Sequence, residues 1–188
     1  PVFCPMSVSP KINCRWDVYN HTGRLAAPVL FLVSCKHLTM DWQQKAQRKR
    51  DELTAKIPPE WRVNPELLEK ASSQDNILDI PRQTGILTER ELDITETSDA
   101  TALLARLRAG EFSAYDVAKA FCKRAAIAHQ LTRCLTEIFF DQALERAKEL
   151  DRQYAETGVL TGPLHGIPIS LKDSYNVIGV QSTLGYVS

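Results

Sequence analysis

The feature that most constrains the fold lies near the carboxyl end of the chain, where turn residues lead into a short apolar segment that ends in a lysine. Gly162, Pro163 and Gly166 are residues that commonly form turns. Side chains of residues 167–172 alternate between two faces of an extended chain, so the isoleucines and the leucine share one face. The pattern predicts a strand that packs one face into a core and carries Lys172 at its carboxyl end.

Lys172 is the candidate catalytic residue of this strand. An ammonium group that is buried loses its hydration, and desolvation lowers the pKa of a lysine side chain. A neutral amine near pH 7 can accept a proton from a nucleophile. A lysine at a strand end is also common as a surface residue, or as an edge residue that blocks strand pairing. The spacing alone leaves both interpretations open.

The segment around Lys172 resembles the first motif of the amidase signature family. The matching residues are Gly162-Pro163-Leu164-His165-Gly166-Ile167-Pro168 and Ser170-Leu171-Lys172-Asp173. The resemblance continues upstream to about Leu92 and downstream to Thr183. A second segment, from Trp42 to Trp61, resembles the amino-terminal lead of fungal acetamidase-like members. Residues 40–188 thus resemble the N-terminal portion of such a protein.

The resemblance implies an α/β fold, namely the N-terminal part of the amidase signature fold, in which helices pack on a mixed β-sheet. Members of the family hydrolyse linear carboxylic amides to an acid and ammonia or an amine. They use a serine nucleophile, a bridging serine on a cis peptide bond and a lysine base, and Lys172 matches that lysine. The resemblance implies a small-molecule amide as substrate, no cofactor and no metal, and it allows a homo-oligomer in the complete enzyme.

The two serines of the family lie in a later Gly-Ser-Ser-Gly-Gly-type segment, which this sequence lacks. Ser174, Ser182 and Ser188 follow Lys172 outside any glycine-rich turn, and Ser170 does not occupy the nucleophile's place in the motif. We therefore expect a truncated chain that is inactive alone.

Two other interpretations stay open. The chain can be a non-catalytic binding or regulatory fragment of an amidase-like protein. It can also be a family member with another task, such as the amidotransferase subunit that delivers ammonia to charged transfer RNA, or a fatty acid amide hydrolase. The segment from Trp42 to Trp61 favours the acetamidase-like branch over those two enzymes.

Charge and cysteine content limit the classes of partner and compartment. Lysine plus arginine and aspartate plus glutamate each number 23, so the chain has no net charge to attract nucleic acid or an anionic membrane. None of the five cysteines forms a Cys-x-x-Cys pair, and no histidine pair has metal-ligand spacing. An odd cysteine count without a disulfide framework indicates reduced thiols. We predict a cytoplasmic protein without nucleic-acid or membrane partners.

The composition changes after residues 1–39, which show no sustained helix or strand period. Their apolar run, Leu25–Val33, is too short to cross a bilayer. The run is also consistent with a signal-peptide core, in which case Asn20 begins a glycosylation sequon. We favour an unassigned leader, disordered or outside the enzyme, followed by a helical and irregular lead at 40–90 and part of the amidase domain at 91–188.

The lead is predicted to contain two helices. Residues from Asp41 to about Lys56 form a charged helix that Pro58-Pro59 ends. Asn64 is a good N-cap, with Pro65 at the first helical position. The segment from about Ser72 to Thr88 is predicted to be irregular.

The amidase-like part is predicted to alternate helices and strands. The first helix is capped by Ser98 or Asp99 and ends at Gly110, and the second begins with the Ser113–Asp116 capping box. A strand at Leu135–Phe140 follows. A third helix, capped by Asp141 and ended by Gly158, precedes the strand that leads to Lys172. Two strands separated by a helix pair in parallel, in an α/β layer architecture.

Asp173 and His165, on either side of the predicted strand, are weaker candidates for functional residues. In open α/β sheets, sites lie at the carboxyl ends of strands, where Lys172 is predicted to stand. Asp173 can position the following loop or serve only as a turn residue. His165, in the preceding turn, is expected to be structural or solvated rather than a ligand.

Overall fold

Residues 41–186 are described by the computed structural model of this protein, and their regular elements are helices. In chain order these are α1 (Trp42–Ala55), a 3₁₀-helix (Pro59–Trp61), α2 (Pro65–Ser72), α3 (Ile80–Gln83), α4 (Glu89–Thr95), α5 (Ala100–Arg108), α6 (Ala114–Thr132) and α7 (Phe140–Thr157).

The charged helix predicted for the lead is confirmed as α1. Most of its side chains are exposed, and Leu53 is its one buried residue. Leu53 packs with Ile57 and Trp61 into an apolar cluster that also contains Cys122 and Ala126 of α6. The lead is therefore held to the rest of the helices by the residues at and just after the end of α1.

Side chains at three predicted helix starts accept backbone hydrogen bonds, as expected of N-caps. The pairs are Asn64 with the Glu66 amide at 2.9 Å, Asp99 with the Ala102 amide at 2.8 Å, and Ser113 with the Asp116 amide at 3.0 Å. Gly158 ends α7 with a φ of 65°, in the left-handed region that glycine adopts without a steric penalty. These caps are confirmed because each depends on neighbours within a few residues.

The prediction that residues 72–88 are irregular is wrong in part. α3 lies inside this segment, and Pro81 fits its first turn, where the backbone amide has no helical partner to lose. α4 begins directly afterwards with a capping box in which Thr88 and Glu91 each bind the other's backbone amide.

α6 is central to the packing of the helices, and contacts α2, α3, α4, α7 and the 3₁₀-helix. Several of its buried residues are alanines, which allow neighbouring helices to approach closely. Ala114 and Ala118 form a buried cluster with Ala147 of α7. The start of α6 is thereby packed against the middle of α7.

Neither predicted strand pairs with another strand among residues 41–186. A strand requires inter-strand hydrogen bonds, and neither Leu135–Phe140 nor residues 167–172 find a partner within this part of the chain. Phe140 belongs to α7, whose N-cap is Phe139, so the prediction of Asp141 as the cap is wrong. Asp141 lies in the first turn instead, where a carboxylate still favours the helix dipole. The mixed β-sheet stays a prediction.

The predictions for residues 1–39, including the run Leu25–Val33 and the sequon at Asn20, lie outside the described residues. Within residues 41–186, none of the helices has both the length and the apolar composition needed to cross a membrane.

Candidate functional site

The predicted turn before the candidate strand is present and consists of two overlapping backbone hydrogen bonds. The His165 amide donates to the Gly162 carbonyl at 3.2 Å, and the Ile167 amide donates to the Leu164 carbonyl at 3.1 Å. His165 and Gly166 are buried, whereas the residues that follow Ile167 are exposed up to Lys172. The turn is therefore the part of the motif that is packed against the helices.

Gly166 sets the distance between this turn and the helices. Its φ is 78°, and a Cβ atom at this position would lie 3.1 Å from the Ala114 Cβ and 3.3 Å from Leu107 Cδ2. These distances are shorter than ordinary van der Waals contacts, so a side chain at residue 166 would require the turn or α6 to move. The glycine permits a backbone approach that other residues would prevent.

His165 is buried beside Thr161 and Tyr154. Its Nδ1 atom lies 3.3 Å from the Thr161 amide, which donates to it, and 2.7 Å from the Thr161 hydroxyl. Because an amide can only donate, Nδ1 is an acceptor and a neutral ring carries its proton on Nε2. The Tyr154 ring lies 5.9 Å from the imidazole, centroid to centroid. Of the two expected roles for His165, structural and solvated, the structure favours the structural one.

α7 binds the start of α6 through Asp151. The Oδ1 atom of Asp151 accepts the Ala114 amide at 2.7 Å, and Oδ2 accepts the Tyr115 amide at 2.9 Å. The first amides of a helix have no partner within the helix, and a carboxylate there also favours the helix dipole. Ala114 thus contacts the motif turn through its side chain and α7 through its amide.

Lys172 lies on the surface of the described residues. Its side chain is exposed, and its ammonium has neither an ion pair nor a side-chain hydrogen bond within residues 41–186. The Lys172 carbonyl accepts the Tyr175 amide at 3.0 Å, so the chain turns directly after the lysine. The spacing of the motif left a buried and a surface position open for this side chain, and within the described residues its position is at the surface.

Asp173 closes the loop that follows Lys172. Its carbonyl accepts the Ser182 hydroxyl at 2.6 Å, and its carboxylate accepts the Thr183 hydroxyl at 3.4 Å. The residue therefore combines the two expected roles, since it stands in a turn and also binds the far end of the loop.

No serine hydroxyl is hydrogen-bonded to the Lys172 ammonium within the described residues. Ser170 and Ser174 are exposed, and the Ser182 hydroxyl is bound to the Asp173 carbonyl. The serine–lysine arrangement that the resemblance implies is therefore not assembled by residues 41–186.

The face of the candidate strand that was expected to be buried is buried only at its first residue. Ile167 packs against the cluster of α5 and α6 residues that includes Leu107 and Val117. Ile169 and Leu171 are 64% and 56% exposed. Six further apolar residues in this part of the sequence are exposed, namely Leu164, Tyr175, Val177, Ile178, Leu184 and Tyr186. Apolar side chains are therefore exposed on both sides of Lys172 along the chain.

Sequence reasoning missed a buried ion pair between α4 and α6. Glu91 Oε1 lies 2.7 Å from Lys123 Nζ, and the two side chains are 11% and 12% exposed. Lys123 Nζ also donates to the Ile86 carbonyl at 3.2 Å. The Thr88-x-x-Glu91 spacing is a capping-box signal that could have located the start of α4. The partner on α6 follows only from the packing of the helices.

A cavity of about 830 Å³ is separate from the motif turn and from Lys172. It lies between α1, the carboxyl end of α6 and residues 179–186, and its lining includes His129 and Glu137. No group of three or more histidine, cysteine or acidic side chains is placed to hold a metal ion in the described part of the chain.

Comparison with known proteins identifies the family. Residues 116–188 match the family model described as Amidase, and these residues include the docked turn and Lys172. The chain belongs to the amidase family. It is 49% identical over 150 residues to an amidase of Gibberella moniliformis, a match that covers 79% of this chain and 28% of the relative. It is 46% identical over 151 residues to an acetamidase of Emericella nidulans, covering 80% and 26% of the two chains.

The fold of the matched region is also that of a solved amidase-family structure. A fatty acid amide hydrolase superposes with a TM-score of 0.69 and 39% identity, over 78% of this chain and 26% of that chain. The predicted resemblance to fungal acetamidase-like amidases is confirmed. The chain spans 28% of the length of the Gibberella moniliformis amidase and 26% of the length of the Emericella nidulans acetamidase.

Proposed function

We propose that this chain is part of an enzyme that hydrolyses linear carboxylic amides to an acid and ammonia or an amine, with Lys172 as the general base. The observation that carries the proposal is the match of residues 116–188 to the amidase family, because Lys172 lies within the matched residues. The role of the lysine follows from the resemblance of residues 162–173 to the family motif. Relatives named amidase and acetamidase support the same reaction class.

The proposed mechanism uses two serines in addition to Lys172. The neutral lysine amine accepts a proton through a bridging serine, and the nucleophilic serine attacks the amide carbon. The tetrahedral oxyanion is stabilised by hydrogen-bond donors, the amine leaves, and water releases the acid from the acyl-enzyme. Both serines belong to a segment that is absent from these 188 residues, so we propose that these residues are inactive alone.

The exposure of Lys172 is consistent with this incomplete state. Ile169 and Leu171, on either side of Ser170, are more than half exposed, at 64% and 56%. We propose that residues 167–172 and 135–140 join a mixed β-sheet in the complete enzyme. That sheet would cover the apolar side chains and place the lysine where its amine is desolvated.

The remaining parts of the proposal concern the setting of the enzyme. The substrate is a small-molecule amide, and neither nucleic acid nor a membrane is a partner. The enzyme is cytoplasmic, needs no cofactor, and is compatible with a homo-oligomer when complete. The zero net charge supports the absence of a polyanionic partner.

The test has two arms. The purified chain is assayed for ammonia release from acetamide and benzamide, and we expect none. Residues 40–188 then replace the matched region of the Emericella nidulans acetamidase, and we expect hydrolysis that falls at least about 100-fold with Lys172→Met, as loss of a general base does. Lys148→Met is the matched control, because Lys148 is an exposed lysine of α7.

Two results would contradict the proposal. Robust hydrolysis by the isolated chain would overturn the proposed inactivity. An active chimera in which Lys172→Met matches Lys148→Met would overturn the role of Lys172 as the base.

A second candidate function is a non-catalytic binding or regulatory fragment. The exposed apolar side chains around Lys172 favour it, because such a surface binds other protein surfaces. Stable production of the chain as a soluble product that forms a complex with a longer amidase, without ammonia release, would support this candidate over the first.

A further inference from the structure

We propose that Asp151, His165 and Gly166 act together as an anchor that positions the segment carrying Lys172. The proposal rests on the proposed function, since positioning matters only if Lys172 takes part in the reaction. We call these three residues, with Ala114 between them, the motif anchor. They are positioning residues, because none of them contacts Lys172 through its side chain among the described hydrogen bonds.

The first part of the argument is the close approach of Gly166 to Ala114. Ala114 is 1% exposed, and a Cβ atom on Gly166 would lie 3.1 Å from its Cβ and 3.3 Å from its Cα. The Cα atom is backbone and cannot rotate away. The turn therefore packs closely against the start of α6, and a displacement of a few tenths of an ångström would change this contact.

The second part is that Ala114 itself is fixed. Asp151 accepts its amide at 2.7 Å and the Tyr115 amide at 2.9 Å. The Ser113–Asp116 capping box holds the same helix start from the other side. A charged acceptor bound to two helix amides is a strong and directional contact. The residue of α6 that contacts the turn, Ala114, is thus also held by α7.

The third part is His165, which holds the turn closed. Nδ1 accepts from Thr161 at 3.3 Å from the amide and at 2.7 Å from the hydroxyl, across the residues that form the turn. The imidazole is buried, and Tyr154 lies against it. Tyr154 follows Asp151 by three residues on α7, so one face of that helix contacts both ends of the motif anchor.

The last part is what lies beyond the motif anchor. Residues 168–172 are exposed, and the next side-chain contacts along the chain are those of Asp173 with Ser182 and Thr183. Those contacts close a local loop and do not reach a helix. Residues 179–186, at the far end of that loop, border the cavity beside α1 and α6, so the turn and Ile167 form the connection from the helices to Lys172 that is shorter along the chain.

The test is hydrogen–deuterium exchange on the full 188-residue chain. His165→Gln removes the acceptor at the Nδ1 position, whereas His165→Asn places a carbonyl oxygen there. We expect His165→Gln to raise amide exchange in residues 161–173 about fivefold, the effect of losing one net hydrogen bond, with exchange in α6 and α7 unchanged. His165→Asn should restore the slow exchange.

Two outcomes would overturn the motif anchor. One is equal exchange in residues 161–173 for the Gln and Asn variants. The other is an increase in the Gln variant that spreads equally over α6 and α7, which would indicate a purely global effect. If His165→Gln lowers the helical circular dichroism, Gly166→Ala replaces it, with the same local increase expected and an unchanged exchange rate contradicting the proposal.

The exchange experiment and the chimera assay can fail separately. Exchange measured on the inactive chain tests the motif anchor without any turnover. Loss of activity on Lys172→Met in the chimera tests the base without any exchange measurement. If the exchange experiment contradicts the motif anchor while the chimera is active and depends on Lys172, the proposed function is unaffected. If exchange supports the motif anchor while the chimera does not depend on Lys172, the motif anchor is unaffected.

Discussion

Individual residues in this protein are held by contacts of very different strength, and the Glu91–Lys123 pair shows how burial decides the effect of a charge. Burial alone would raise the pKa of Glu91. Hydrogen bonds from Lys123 and from Thr88, together with the charge of Lys123, outweigh burial and lower that pKa below its usual value. Glu89 lies in the same helix with a side chain that is 90% exposed and pairs with Arg82 at 3.6 Å. Exposed pairs of this kind contribute little to stability.

Glu91→Gln should therefore destabilise the protein in a pH-dependent manner. A carboxylate whose pKa is lowered by folding stabilises the fold above its unfolded pKa of about 4.3, and this contribution disappears as pH falls through the lower folded value. We expect Glu91→Gln to cost about 3 kcal/mol at pH 7, because it leaves Lys123 buried without its partner charge. The difference from the parent should shrink towards pH 3.

Urea unfolding at several pH values measures both quantities, and Glu89→Gln is the matched control on the same helix. A pH dependence that is the same in the two variants would contradict the role assigned to the buried pair.

At the scale of elements, the sequence located most of the predicted helix starts, although the cap of α7 is Phe139 and not Asp141. Asn64, Asp99 and Ser113 were correct as N-caps because each binds an amide two or three residues away. α3 and α4 were missed, although Thr88 and Glu91 carry a capping-box spacing. A local sequence pattern cannot establish a strand, because a strand requires hydrogen bonds to a second strand.

The contact between α6 and α7 yields a prediction at this scale. Ala118 is 6% exposed and packs in the alanine cluster with Ala114 and Ala147. Ala118→Leu adds volume where the two helices meet, and we expect a loss of about 1 to 3 kcal/mol in the free energy of unfolding. Ala105→Leu, the same substitution at an exposed position of α5, should have an effect below about 0.5 kcal/mol. Equal effects in thermal or urea unfolding would contradict the close packing of α6 on α7.

At the scale of the whole molecule, apolar exposure is concentrated towards the carboxyl end. Eight exposed apolar residues lie from Leu164 to Tyr186, and Ile178 is the most exposed of them. Leu78, before α3, is 78% exposed, and no other large apolar side chain of residues 43–138 is exposed. Contiguous apolar surfaces promote association, whereas a single exposed leucine does not.

We therefore expect the isolated chain to self-associate or to be only partly ordered. Ile178→Asp should reduce the associated fraction, and Leu78→Asp, as the matched control, should leave it unchanged. Light scattering coupled to gel filtration measures this fraction. A soluble monomer that melts sharply and cooperatively would contradict this expectation.

Local sequence was sufficient to locate three helix caps, the turn at Gly162–Gly166 and the family, since caps and turns depend on neighbours within a few residues and the motif is long. The contacts between groups that are distant in sequence depend on how the helices pack. Asp151 binds an amide 37 residues earlier, and Gly166 has a small residue, Ala114, as its neighbour on α6. Tertiary structure also decided that Lys172, the residue that most suggested a function, is exposed. The burial of a side chain depends on which residues pack against it, and the local sequence does not specify these residues.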